Sequence, residues 1–139
     1  MYHSTALLLP DARVLVAGGG KDAPEVDQPS AEIFSPPYLF AGPRPTITSA
    51  PTGIQYATGF SVGTPDAARI AAVSLVRLGS VTHAFNQNQR FVPLSFQSAN
   101  GGLTIQAPAT ANLAPPGHYM LFIVDTNGIP SVAAMVRLG

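Results

Sequence analysis

Apolar residues recur along this chain in short bursts, each about the length of one strand and each closed by turn formers. Residues 4–9 (STALLL) and 13–17 (RVLVA) are apolar runs joined by Pro10-Asp11-Ala12, a spacing that predicts a β-hairpin. Gly18-Gly19-Gly20 then releases the chain into KDAPEVDQPS, where Pro and charge argue against regular structure. Residues 31–34 form a candidate third strand, stopped by Pro36-Pro37, and Tyr38-Leu39-Phe40 leads into a break at Gly42-Pro43-Arg44-Pro45. Two closely spaced strands are compatible with a propeller blade or with the first hairpin of a sandwich. The break favours a boundary, which divides the chain into 1–44 and 45–139.

Beyond the break the pattern is more regular. Ile47, the polar–apolar alternation over 54–62 and the run 71–78 (AAVSLVRL) predict three strands, and a fourth at 91–96 follows a polar loop. Leu103, Ile105 and Ala107 alternate with Thr104 and Gln106, as one half-buried strand does. The run 118–124 (HYMLFIV) has the aromatic and β-branched density of a central strand, and Val132, Ala134, Val136 and Leu138 share one face of its neighbour. Thr126-Asn127-Gly128 between them has the composition of a hairpin turn. About seven short strands separated by turn signals predict a β-sandwich. The only helical candidate, 65–73, supports a single turn at most. The expected class is therefore all-β.

Composition narrows the function classes. Hydrophobic residues make up 46% and charged residues 10% of the 139, which is unlike a solvated disordered tail. Seven basic and seven acidic residues cancel, with no Lys or Arg cluster to displace counterions from a phosphate backbone, so nucleic acid is not an expected partner. No apolar stretch approaches the roughly 18 residues of a transmembrane segment. There is no cysteine, which excludes disulfides and thiol chemistry within these residues.

Candidate chemistry gathers in two places: Tyr2-His3, where a chain commonly frays, and His83 within VTHAFNQNQR. Imidazole suits Cu, Zn, Fe and Ni, and a tyrosinate oxygen would complete a site for an oxidised metal. Consecutive strand residues point to opposite faces, so Tyr2 and His3 reach one ion only if the backbone twists there. On spacing alone the pair reads as a strand-edge tyrosine and a surface histidine before it reads as a metal site. His83 sits on a loop at the end of a strand, where scaffolds display functional groups and also where side chains satisfy local backbone. His118 reads as a strand-start residue, and the triple glycine as a tight turn, because no Lys-Ser/Thr or helix follows it. The carboxylates lie in or near turns without forming an acid–base pair. Ser4 has no G-x-S-x-G elbow around it. Arg77 and Arg90 are expected to face the His83 loop and organise it.

The segments YHSTALLLPDARVLVAGGG, AEIFSPPYLF, RPTI, SLVRLGSVTHAFNQNQRFVPLSF and LAPPGHYMLFIVDTNGIPSVAAMVRL cover nearly the whole chain. In that order they resemble the C-terminal end of the copper-radical oxidases, the galactose oxidase and glyoxal oxidase family. The resemblance implies that residues 1–44 are the last strands of an incomplete β-propeller blade and 45–139 an immunoglobulin-like early-set β-sandwich. It implies copper held by Tyr2, His3 and His83, with Tyr2 the axial tyrosine that accepts the alcohol proton and His83 carried to the metal on a loop of the sandwich. The family's second redox centre is a tyrosine crosslinked to a cysteine. Tyr38, Tyr56 and Tyr119 match no such position and there is no Cys, so this Tyr–Cys radical cofactor is expected only outside the chain, in a missing N-terminal propeller region.

Departures from the family pattern are few. The family's disulfide after the triple glycine is replaced by KDAPEV, and His118 stands where the family tends to have an aromatic residue. The implied parent oxidises a primary alcohol, sugar hydroxyl or aldehyde with O₂, and is extracellular or associated with the cell envelope. The chain alone is expected to be inactive and to bind copper at most weakly. The competing reading is a non-catalytic structural or carbohydrate-associated β-sandwich module.

Overall fold

The computed structural model describes residues 3–20, 24, 26–99 and 101–139. Strands β1 (Thr5–Leu8), β2 (Val14–Ala17) and β3 (Ala31–Phe34) form an antiparallel sheet in sequence order. The β1–β2 turn is the expected hairpin. The Ala12 N–H donates to the Leu9 carbonyl at 2.9 Å, and Ala12 takes a left-handed φ of 65°. A methyl group in that conformation carries a steric cost that glycine would avoid, and here the methyl is buried against Met120 and Phe122. Asp11 closes the turn by accepting from the Arg13 backbone N–H at 3.0 Å and from its guanidinium at 2.6 Å. Burial alone would raise the Asp11 carboxyl, but those bonds and the charges of Arg13 and Arg44 hold it below the usual carboxylate range.

The rest of the described chain packs as two sheets. One holds β4 (Gly53–Ile54), β6 (Ile70–Arg77), β9 (Phe91–Leu94), β12 (Gly117–Asp125) and β13 (Ala134–Leu138) in the order β4-β13-β12-β6-β9. The other holds β5 (Gly59–Gly63), β10 (Phe96–Ala99) and β11 (Gly102–Gln106) in the order β10-β11-β5. Val62, Leu103 and Ile105 from the smaller sheet meet Val73, Leu75, Tyr119, Leu121, Ile123 and Val136 from the larger in one core. This is the expected all-β sandwich. A separate two-stranded ribbon, β7 (Val81–Thr82) with β8 (Phe85–Asn86), projects between β6 and β9.

Several expectations divide at corners. The alternating stretch 54–62 is two strands in opposite sheets, separated by a turn at which Ala57 has φ 57°. Likewise 91–96 crosses from β9 to the start of β10, with the Ser95 carbonyl accepting from Gln106 at the corner. In both places the period of two continues across the corner, because both halves point into the same core. Val132 lies ahead of β13 and is exposed, so only Ala134, Val136 and Leu138 share the expected face. The helical candidate is one 3₁₀ turn at Ala67–Arg69, and a second 3₁₀ turn covers Pro37–Phe40 where only a lead into the break was expected.

The central strand β12 is buried on both faces, which explains its near-continuous hydrophobic run. Tyr119, Leu121 and Ile123 face the sandwich core, while Met120 and Phe122 face outward beneath Ala12, Tyr38, Leu39 and Ala133. Tyr119 donates its phenol to the Pro115 carbonyl at 2.7 Å, in the manner of a tyrosine corner. Burial raises its pKa, with Arg77 opposing.

Arg44 binds the two parts together. Its guanidinium donates to the Asp11 carbonyl at 2.8 Å, the Pro130 carbonyl at 2.8 Å and the Ser131 carbonyl at 2.5 Å. The Ala133 N–H donates to Pro10 at 2.8 Å, and the Tyr38 phenol to Ala12 at 2.7 Å. One end of the hairpin is thereby fixed on the sandwich, which determines where β1 begins.

Candidate metal centre

His3 stands two residues before β1 and His83 at the tip of the β7–β8 ribbon, and their rings meet. The centroids are 4.7 Å apart with the planes at 62°. The backbone twist that the Tyr2-His3 pattern needs is present at His3, whose φ is 59°. Tyr2 itself lies outside the described residues.

The ribbon presents His83 by a strained route. Val81 pairs with Asn86 and Thr82 with Phe85, leaving His83 and Ala84 as a two-residue turn with φ of 54° and 65°. Such a turn ordinarily takes Asn-Gly, since both central residues are left-handed. Each non-glycine residue there costs about 1–2 kcal/mol, a cost that persists where the surroundings over-determine the conformation. The surroundings do so at the ribbon's base. Asn86 Oδ1 accepts from the Ser80 N–H at 3.1 Å and the Asn88 N–H at 3.2 Å, and the Gln87 N–H donates to Ser80 at 2.9 Å. Gly79 lets the ribbon leave the sandwich close to β1, because a Cβ there would stand 2.7 Å from Leu7 Cδ2 and 3.1 Å from Asn86 Nδ2. At the tip, Thr82 Oγ1 and His83 Nδ1 are hydrogen-bonded at 2.7 Å.

The pair fits a metal ion. With a metal–nitrogen bond of about 2 Å and a ring centroid roughly 1.1 Å beyond the nitrogen, two imidazoles at right angles around one ion have centroids about 4.4 Å apart. The observed 4.7 Å suits adjacent ligand positions. Both residues are exposed in this chain. Among the described residues no third His, Asp or Glu joins them into a metal-binding group.

The other expected roles sort cleanly. His118 is an exposed residue of β12 paired across the sheet with Arg137, as the strand-start reading requires. Tyr38, Tyr56 and Tyr119 each donate to a backbone carbonyl, those of Ala12, Ala114 and Pro115. Asp66 and Asp125 both pair with Arg69, and Asp66 Oδ2 also accepts from the Thr46 N–H at 2.8 Å. That backbone hydrogen bond, with Arg69, holds the Asp66 carboxyl below its usual range against the opposing effect of burial. Arg77 and Arg90 correct an expectation. Their guanidinium groups bond the Pro116 carbonyl at 3.2 Å and the Leu113 carbonyl at 3.1 Å, so they brace the loop before β12 rather than the His83 ribbon. Asn86, Thr82 and Arg44 carry the positioning that sequence reading assigned to those arginines or to none. The signal for Asn86 was slight: a polar residue in a polar run, with arms too short to show alternation.

The family model described as galactose oxidase-like, early set domain matches residues 44–138. The chain belongs to that family. It is 38% identical to a galactose oxidase of Gibberella zeae over 147 residues, covering 99% of the chain and 21% of that relative. It is also 38% identical to the aldehyde oxidase GLOX of Vitis pseudoreticulata over 156 residues, covering 99% of the chain and 30% of the relative. Among solved structures, a fungal alcohol oxidase of the AA5 family in complex with copper superposes with a TM-score of 0.82 at 32% identity, over 97% of this chain and 30% of that one. The chain thus spans less than a third of the length of these early-set relatives. The resemblance to copper-radical oxidases and the early-set, immunoglobulin-like sandwich are both borne out. Among the described residues no helix is long and apolar enough to cross a membrane.

Proposed function

We propose that this chain is the C-terminal part of a copper-dependent oxidase and supplies part of its metal centre. The observation that carries the proposal is the approach of His3 and His83 to 4.7 Å, since these residues lie 80 positions apart, outside the strands, and each adopts a disfavoured backbone conformation. In this reading residues 1–44 are the closing strands of a β-propeller and 45–139 the early-set sandwich. The His3 and His83 imidazoles would hold the ion. The Tyr2 phenolate oxygen takes the hydroxyl proton of the substrate. The parent converts a primary alcohol, sugar hydroxyl or aldehyde, and its setting is extracellular or at the cell envelope.

Bound copper would supply Lewis acidity toward the substrate oxygen and one of the two oxidising equivalents. The second is assigned to a cysteine-crosslinked tyrosine outside this chain, which has no Cys of its own. An alcohol loses two electrons and two protons to become an aldehyde, and O₂ gains both to become hydrogen peroxide. An aldehyde does the same after adding water, giving the acid. The chain alone lacks one redox partner, so the copper-treated chain should form no peroxide above background with galactose, glyoxal or a simple primary alcohol under O₂. Fused behind a propeller that carries the crosslinked pair, it should turn over, and Tyr2→Phe should lower kcat by about 10²–10⁴-fold. Sustained turnover by the chain alone, or an unaffected Tyr2→Phe fusion, contradicts the proposal.

A further inference from the structure

We infer that Thr82 is a positioning residue that decides which nitrogen of His83 faces the metal. The inference deepens the copper-oxidase reading and rests on it for the identity of the ion.

An imidazole nitrogen that shares a hydrogen bond with a hydroxyl cannot also ligate an ion. Thr82 Oγ1 lies 2.7 Å from His83 Nδ1, so Nδ1 is taken and only Nε2 can bind a metal. A neutral imidazole has one N–H and one lone pair, and the bond made by one nitrogen sets the state of the other. A hydroxyl can donate or accept. If Thr82 accepts, Nδ1 carries the proton and Nε2 offers its lone pair. If Thr82 donates, Nε2 is protonated and must shed its proton before it binds. The accepting role is the one that leaves Nε2 with the lone pair a metal needs, on a ring whose centroid stands 4.7 Å from that of His3. The same bond limits rotation of the ring about its stem. That restraint matters because the ribbon tip is exposed. Oriented partners of this kind behind a ligating histidine change metal affinity by about 10–100-fold.

The left-handed turn adds to the inference. With His83 and Ala84 both at positive φ, Thr82 is the last residue of the β7 arm, held in register opposite Phe85. Its hydroxyl is therefore carried on the ordered part of the ribbon rather than on the tip.

The test uses the 139-residue chain and its three histidines, which give three separable imidazole spectra. Nitrogen-15 correlation spectra of the metal-free chain, recorded well above the ordinary imidazole pKa of about 6.5, report the tautomer of each ring. The Nδ1–H form should dominate at His83 in the native chain and in Thr82→Ser. In Thr82→Val it should give way to a mixture, with His118 and the sheet amides unchanged as the control for folding. A Cu(II) competition titration should show Thr82→Val about tenfold or more weaker than the native chain, and Thr82→Ser within about threefold of it. A dominant Nε2–H form in the native chain overturns the inference. So does a Thr82→Val spectrum identical to the native one, or, where the native chain binds copper, equal affinity in the two. If the native chain binds no copper at His3 and His83 while Thr82 still controls the tautomer, the oxidase reading fails and the Thr82–His83 coupling is upheld.

Discussion

The three-stranded sheet and the sandwich are built from similar residues yet are held together differently. In the sandwich, Leu75, Tyr119, Leu121, Ile123 and Val136 are wholly buried in a core that the two sheets complete for each other. In the three-stranded sheet β3 is exposed along its whole length, with Ile33 and Phe34 half or more accessible, and the one fully buried apolar residue among its described positions is Ala12, against the sandwich. The sandwich is stable through its own packing, whereas the small sheet borrows order from the sandwich through Ala12, Tyr38 and Arg44. The His3–His83 pair lies where the two meet, so its geometry depends on the weaker partner being held by the stronger.

Core truncation should expose this contrast most sharply. Leu121→Ala removes a fully buried side chain from β12 and should cost about 3–5 kcal/mol in urea denaturation. Ile33→Ala, at a half-exposed site, should stay within about 0.5 kcal/mol. Equal losses in the two variants would mean that the small sheet has a core of its own.

Arg44→Met sharpens the same comparison. It keeps an apolar stem and removes the donors to Asp11, Pro130 and Ser131. The expected loss is about 2–3 kcal/mol, since hydrogen bonds to a charged donor carry more than neutral ones. Amide exchange should quicken in β1 and β2 while β6 and β12 keep their protection. A uniform increase across both parts would contradict the view that Arg44 is chiefly a clamp between them.

Acid gives the smallest effect. Asp66 in the sandwich and Asp11 in the hairpin turn both have folded-state pKa values below the ordinary 3.8. A carboxyl depressed on folding contributes its full stability above the unfolded value and loses it as pH falls through 3.8 and then through the folded value. Stability should therefore begin to fall below about pH 4–5. Asp66→Asn should flatten that acid limb for the sandwich, and Asp11→Asn should flatten it for hairpin docking followed by amide exchange.

The sequence displays what alternation can encode and hides what crossing geometry decides. Leu103, Ile105 and Ala107 were legible because one face of β11 and its extension is buried, and the run 118–124 because β12 is covered on both sides. The corners after Ile54 and at Ser95 were not legible, since a strand that changes sheets keeps its inward face in phase. The ribbon was hidden for another reason: its arms are two residues each, and His-Ala is a poor turn sequence by composition. The meeting of His3 with His83 has no local signal at all. It entered through family resemblance, and it depends on contacts distant in sequence, such as the bond from Arg44 to the Asp11 carbonyl 33 residues away.

The most direct measurement is the electron paramagnetic resonance spectrum of the Cu(II)-treated chain, with each histidine replaced in turn. Nitrogen hyperfine structure from two imidazoles should be present in the native chain and in His118→Ala, and reduced to one or lost in His3→Ala and in His83→Ala. A copper spectrum that survives His3→Ala and His83→Ala but collapses in His118→Ala would contradict the account at its centre.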